Sequence, residues 1–239
     1  MKKDKVLFII PAYNEEESIL KTCNQIFDYN KKNKTNYDIV VINDGSKDNT
    51  EKILLENKIN HIRLINNLGI GGAVQTGYKY ALEKDYDYAI QFDGDGQHNV
   101  AYAEKILEPL RKKEADMCIG SRFIEEIDTF KSSRARRMGI KIISFFIKLT
   151  TGKKIYDTTS GMRAINKELI KKFACDYPTE YPEPVSTTDI LKNGYKVTEV
   201  AVEMNERECG VSSIRAWKNA YYMINVVLSI LITGVGGKK

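Results

Sequence analysis

Asp93 and Asp95 lie two residues apart in the run Asp93-Gly94-Asp95-Gly96-Gln97-His98. The apolar stretch just before it, Tyr88-Ala89-Ile90-Gln91-Phe92, reads as a short buried strand. Two carboxylates at a strand's carboxyl end, with glycines between and after them, can converge on one divalent cation. Oxygen ligands of this kind suit Mg²⁺ or Mn²⁺, ions that are typically shared with the phosphates of a nucleotide. An Asp-Gly turn joining two strands uses the same residues for geometry alone. Partners elsewhere in the chain decide between the two readings.

The elements that must position such a turn are legible in the first half. Val6-Leu7-Phe8-Ile9-Ile10 is an unbroken apolar run ended by Pro11, as expected of a central parallel strand. Asn14 and Glu17 form a capping-box pattern that predicts a helix start at Asn14. Asp38-Ile39-Val40-Val41-Ile42 is a second buried strand, ended by Asn43-Asp44-Gly45-Ser46. A helix over 48–57 and a strand over 61–65 follow. Asn67-Leu68-Gly69-Ile70-Gly71-Gly72 then opens a helix carrying Val74, Tyr78 and Ala81. This alternation predicts a doubly wound, mostly parallel α/β sheet with helices on both faces and right-handed crossovers. Ligands bind such sheets outside the carboxyl ends of the strands. Segments 11–15, 44–46, 67–72 and 93–97 all fall there. The glycines at 69–72 match neither GxGxxG nor the P-loop pattern and read as turn geometry rather than direct phosphate contact.

Taken in order, Pro11-Ala12-Tyr13-Asn14-Glu15, Asn43-Asp44-Gly45-Ser46, Asn67-Leu68-Gly69 with Gly77, and the Asp93–His98 run resemble the motifs of family 2 glycosyltransferases of the GT-A fold. Gly120-Ser121-Arg122, Asp157-Thr158-Thr159-Ser160-Gly161-Met162-Arg163, and Glu199-Val200 with Arg207 and Gly210 resemble the dolichol-phosphate-mannose synthase branch. Tyr181-Pro182-Glu183-Pro184 is similar instead to small bacterial family 2 enzymes of surface-polysaccharide pathways. The chain departs from the branch at Asn99, where proline is usual, and at Ser213, where lysine is usual.

The resemblance implies inverting transfer of a sugar from a nucleotide-sugar, UDP-linked by general frequency in the family, to a lipid-linked acceptor. The lipid phosphate itself as nucleophile is one alternative, and a non-catalytic nucleotide-sugar-binding scaffold is another. Residue by residue, it implies that Pro11, Ala12, Glu15 and Asp44 hold the nucleoside, with Asn14 and Gly69 in the same donor-binding set. Asp93 and Asp95 fall at the diphosphate and the metal, Mg²⁺ or Mn²⁺, and Gln97 adds to the metal shell.

The departing nucleoside diphosphate gathers negative charge, which calls for a divalent ion and cationic side chains. Arg122, Arg163 and Arg207 are the candidates, because guanidinium forks match phosphate oxygens. Arg134, Arg136 and Arg137 form a further basic cluster. A sugar hydroxyl acceptor needs a general base, whereas a polyprenyl phosphate does not. Glu183, between two prolines that stiffen a loop, is the best candidate base, with Asp157 and Asp189 next. A nucleotidyltransferase would carry a glycine-rich signature near the N-terminus, where Pro11-Ala12-Tyr13-Asn14-Glu15 stands. A glycosidase would hold its carboxylates several ångströms apart across a sugar rather than in one turn.

The chain of 239 residues carries 37 Lys and Arg against 32 Asp and Glu, a net charge of +5. That is too mild to argue for nucleic acid but is compatible with anionic lipid. Cys23, Cys118, Cys175 and Cys209 have no metal-ligand spacing and read as reduced thiols. The N-terminus leads straight into a strand rather than a leader-like apolar run, so a cytoplasmic protein is expected. The expected organisation is a catalytic domain over 1–215, with 1–98 binding the donor and 99–215 the acceptor, followed by an apolar helix over 216–239. Two apolar segments, 139–149 and 220–235, suggest peripheral attachment to the cytoplasmic face of a membrane, and 139–149 reads equally as an ordinary core helix. An oligomer contact or a small membrane-protein partner is the alternative use of the C-terminal helix.

Overall fold

The computed structural model describes residues 4–124, 134–204 and 216–235, with the backbone alone at 134–136 and 216–220. The strands are β1 (Val6–Ala12), β2 (Tyr37–Asn43), β3 (His61–Arg63), β4 (Tyr88–Gln91), β5 (Met117–Ser121), β6 (Arg163–Asn166) and β7 (Val197–Ala201). They form one sheet in the order β3-β2-β1-β4-β6-β5-β7. All neighbours are parallel except β6, which runs antiparallel to both β4 and β5. Because β6 is reversed, its first residue, Arg163, lies at the same rim as the last residues of β1, β2 and β4. The expected mostly parallel sheet is therefore present, with one reversed strand that brings a second-half loop to the acidic turn.

Side chains alternate across the sheet, as the pleat requires. Val6, Phe8, Ile10, Ile39 and Val41 pack on one face against Ile19, Cys23 and Ile26 of α1 (Ile19–Asn33), Leu54 of α2 (Thr50–Glu56) and Ile106 and Leu107 of α4 (Ala103–Arg111). Leu7, Ile9, Val40 and Ile42 pack on the other face. There they meet α3 (Gly69–Glu83), α5 (Arg134–Thr151), α6 (Lys167–Cys175), α7 (Pro182–Lys192) and α8 (Ala216–Val235). Each fully buried Leu, Ile or Phe contributes roughly 1.5–3 kcal/mol. Burial on both faces is why these strands read as continuous apolar runs.

Local boundaries differ from the sequence expectation in several places. The first helix begins at Ile19, not Asn14. Asn14 instead has φ 56°, and the amides of Ser18 and Ile19 turn back onto the Glu15 carbonyl. Asn14 is drawn out of the helix by contacts to the next loop, described below. Residues 182–184, expected as a loop, form the first turn of α7, with Pro182 at its start. Proline is well placed there, since the first helical amides have no partner in the helix. The strand expected over 61–65 stops at Arg63.

Candidate active site

Three loops on the rim are tied into one unit. The Asp44 amide donates to the Ala12 carbonyl at 2.8 Å. The Asn14 amide donates to Ser46 Oγ at 3.0 Å, and the Lys47 amide returns to Asn14 Oδ1 at 2.8 Å. The Glu15 amide reaches Thr50 Oγ1 at 2.9 Å, and the Glu15 carboxylate accepts from Ser18 Oγ at 2.6 Å. Asp44 is buried, and its Oδ1 accepts the Leu68 amide at 2.7 Å, which attaches the third loop. Burial raises the Asp44 pKa, and the amides of Leu68 and Gly69 oppose that shift. Gly69 opens α3 with its amide on Asn67 Oδ1 at 3.0 Å. Pro11, Ala12, Asn14, Glu15, Asp44 and Gly69 thus occupy adjoining loops.

The acidic turn is anchored on all sides. The Asp93 amide donates to His98 Nδ1 at 2.9 Å, so the proton of a neutral ring sits on Nε2, which lies 3.5 Å from Asp93 Oδ2. Burial pushes the His98 pKa down to about 4, so the ring is neutral at pH 7. The Gln97 amide donates to Asp95 Oδ1 at 3.0 Å, and Thr22 Oγ1 holds the Gly94 carbonyl at 3.1 Å. A Cβ added at Gly161 would fall 2.5 Å and 2.7 Å from the Asp93 carboxylate oxygens. The Asp93 carboxylate therefore rests on the bare backbone of the loop before β6. Asn99, where the branch has proline, accepts the Ala101 amide at 2.9 Å and caps the turn Val100–Tyr102.

The arginines occupy positions that the sequence did not anticipate. Arg122 gives Nε to Asp157 Oδ2 at 2.7 Å and Nη2 to Asp157 Oδ1 at 2.8 Å, a bidentate pair whose side chains are 5% and 0% exposed. A further bond runs from Nη2 to Thr159 Oγ1 at 3.0 Å. Arg163, 1% exposed, gives Nε to the Ser160 carbonyl at 2.7 Å and Nη1 to the Glu183 carbonyl at 2.9 Å and Thr187 Oγ1 at 3.0 Å. The sequence reading set these two guanidinium groups toward phosphate; in the structure their hydrogen bonds run to protein groups, and they fasten the 157–163 loop and the start of α7. A buried cation is drawn to the nearest fixed carboxylate and carbonyls, because burial makes an unpaired charge costly. Arg207 lies outside the described residues.

Glu183 is half-buried in the first turn of α7. Burial raises its pKa; Arg163 opposes the shift, and Asp93 adds to it. The other two candidate bases are engaged elsewhere, Asp157 with Arg122 and Asp189 with Lys172 at 2.8 Å. Gln91, opposite Arg163 across the β4–β6 pair, lies beside the Glu183 carboxylate. Its buried amide forms no well-shaped hydrogen bond, and the buried Thr158 hydroxyl likewise has none. Gln91, His98 and Thr187 were not singled out from sequence, although a buried glutamine inside an apolar strand is a detectable signal.

Among the described residues no cluster of three or more His, Cys, Asp or Glu side chains is assembled to hold a metal by itself. Two carboxylates of one turn, with Gln97 beside them, nonetheless suit an ion completed by substrate. Mg²⁺ is usually bound through one or two carboxylates together with substrate phosphates. An open hollow of about 710 Å³ lies over α2, lined by Ser46 and Lys47 of the second rim loop with Lys52 and Arg63 among others, and takes in no residue of the acidic turn.

Comparison with known proteins adds the following. The family model described as glycosyl transferase family 2 matches residues 7–173. The UDP-N-acetylglucosamine–dolichyl-phosphate N-acetylglucosaminyltransferase of Methanococcus voltae is 32% identical, over 84% of this chain and 86% of that protein. The polyprenol monophosphomannose synthase of Mycolicibacterium smegmatis is 27% identical, over 88% of this chain and 81% of that protein. Among solved structures, the glucosyl-3-phosphoglycerate synthase of Mycobacterium tuberculosis, in complex with Mn²⁺, UDP-glucose and phosphoglyceric acid, superposes with a TM-score of 0.67. It covers 97% of this chain and 80% of that one at 14% identity, a likeness of fold.

Proposed function

The chain belongs to glycosyl transferase family 2 and is a glycosyltransferase, and on that premise we propose that it moves a sugar from a nucleotide-sugar to a polyprenyl phosphate. The observation that carries this reading is the placement of the Asp93–Asp95 turn. It lies between the three tied loops of the first half and the Gly161 backbone of the second, with Glu183 beside it. The donor would lie along the loops of Ala12, Asn14, Glu15, Asp44 and Gly69, with its diphosphate toward Asp93 and Asp95. The likeness to enzymes named for dolichyl phosphate and polyprenol supports a lipid phosphate as acceptor.

In the proposed reaction a phosphate oxygen of the acceptor attacks the anomeric carbon from the side opposite the leaving group. The bond from that carbon to the diphosphate oxygen breaks, the electron pair leaves with the nucleoside diphosphate, and the configuration inverts. A divalent ion at Asp93, Asp95 and Gln97 would supply positive charge to the departing diphosphate. His98 fixes the Asp93 backbone, and Arg163 fixes α7 through the Glu183 carbonyl and Thr187. Arg122 acts at one remove, through Asp157 and the loop that seats Asp93.

A second reading is favoured by Glu183, whose burial makes its carboxylate more basic than usual. A sugar hydroxyl of a lipid-linked acceptor would need that base. Glu183→Gln separates the readings. With a phosphate nucleophile, turnover stays within a few-fold of wild type on polyprenyl phosphate. If kcat falls by about 10²–10⁴, the size expected for losing a general base, the hydroxyl reading replaces it.

A further inference from the structure

The two apolar segments noted in the sequence come together in the fold. A Cβ at Gly139 would meet Met223 Sδ at 3.4 Å, and one at Gly234 would meet Thr150 Cβ at 2.5 Å. These contacts are eleven residues apart on both helices and in the same order, so α5 and α8 lie side by side and parallel. Inward they bury Ile140, Ile143 and Ile147 of α5 and Val226 and Ile230 of α8. At 3.6 residues per turn the opposite stripe of α5 carries Met138, Ile142, Phe145 and Leu149, all exposed. The opposite stripe of α8 carries Tyr221, Ile224, Leu228, Ile232 and Val235, also exposed. Both stripes face outward on the same side of the seam.

Charge names the occupant. Neither helix contains a single Asp or Glu, although the chain as a whole has 32. Lys141 and Lys148, both exposed, border the α5 stripe on the side away from α8, and exposed Lys153 and Lys154 follow its end. A second copy of this face would set lysines against lysines, whereas an anionic bilayer would accept them together with the apolar stripes. No described helix is long and apolar enough to cross a membrane. On its other flank α8 borders a groove of about 340 Å³ shared with Glu180 and Tyr181, next to Glu183.

We propose that the outer faces of α5 and α8 form one interfacial surface that seats the protein on an anionic phospholipid bilayer. The role of this surface rests on the lipid-acceptor reading, but its binding is measured without donor or acceptor, so either idea can fail alone. The probe is flotation with phosphatidylcholine vesicles, with and without phosphatidylglycerol, at low and high salt. Wild type should float only with anionic vesicles and be released by salt. Lys141→Gln with Lys148→Gln should weaken binding about fivefold for each lysine. Phe145→Ser with Leu228→Ser should weaken it at least as much at low salt, while far-UV dichroism and the thermal shift with nucleotide-sugar stay as in wild type. Wild-type protein that ignores anionic vesicles would overturn the proposal. So would variants that bind as wild type does, or a wild-type dimer that these substitutions dissociate.

Discussion

Asp95→Asn removes one carboxylate charge from the proposed ion site and leaves the Gln97 amide an oxygen to bond. Metal-dependent turnover should drop at least a hundredfold, in the range seen when a single electrostatic stabiliser is lost, with the melting temperature nearly unchanged. Steady-state kinetics across a Mn²⁺ and Mg²⁺ series, alongside a thermal melt, checks both halves. Gly161→Ala is the sharper test of geometry, because its methyl must displace the Asp93 carboxylate or the loop beneath it. Activity should fall as far as in Asp95→Asn, and a crystal structure of the variant should show Asp93 moved; normal kinetics would mean that the seat is dispensable. The sequence exposed the acidic pair because its chemistry is local. It did not expose the seat, because Gly161 touches Asp93 only through the reversed β6.

Breaking the Arg122–Asp157 pair tests an element rather than a residue, since the pair clamps the end of β5 to the loop that leads into β6. Arg122→Met leaves Asp157 buried without its cation and should cost about 3–5 kcal/mol of stability, measured by urea denaturation. Adding Asp157→Asn to that background should return part of the loss, because the stranded charge is gone. First-half strands were legible as apolar runs, and the rim loops as the polar turns that end them. The start of α1 was misread because Asn14 satisfies the local capping pattern yet bonds across to Ser46 and Lys47. Strands β5, β6 and β7 were not foreseen: β5 runs into Gly120 and Ser121, β6 opens with an arginine, and β7 carries Thr198 and Glu199 between its valines.

At the level of the whole molecule, donor binding should depend on rim loops from both halves of the chain. A nucleotide-sugar with Mn²⁺ at about a hundredfold over its Kd should add about 2.7 kcal/mol of stability. For a domain of this size that is a rise in melting temperature of roughly 5–10 °C. Nucleotide-sugar without metal should give a clearly smaller rise, and equal rises would sink the metal's role in donor binding. The β4–β6 pairing carries a consequence for synthesis on the ribosome. β4 sits in the middle of the sheet, yet its neighbour on one side is not made until residue 163 has been translated. Until then a nascent chain that has already closed β1, β2 and β3 presents β4 as a raw edge. Premature termination or proteolysis between residues 98 and 163 should therefore yield an aggregating fragment rather than a donor-binding half.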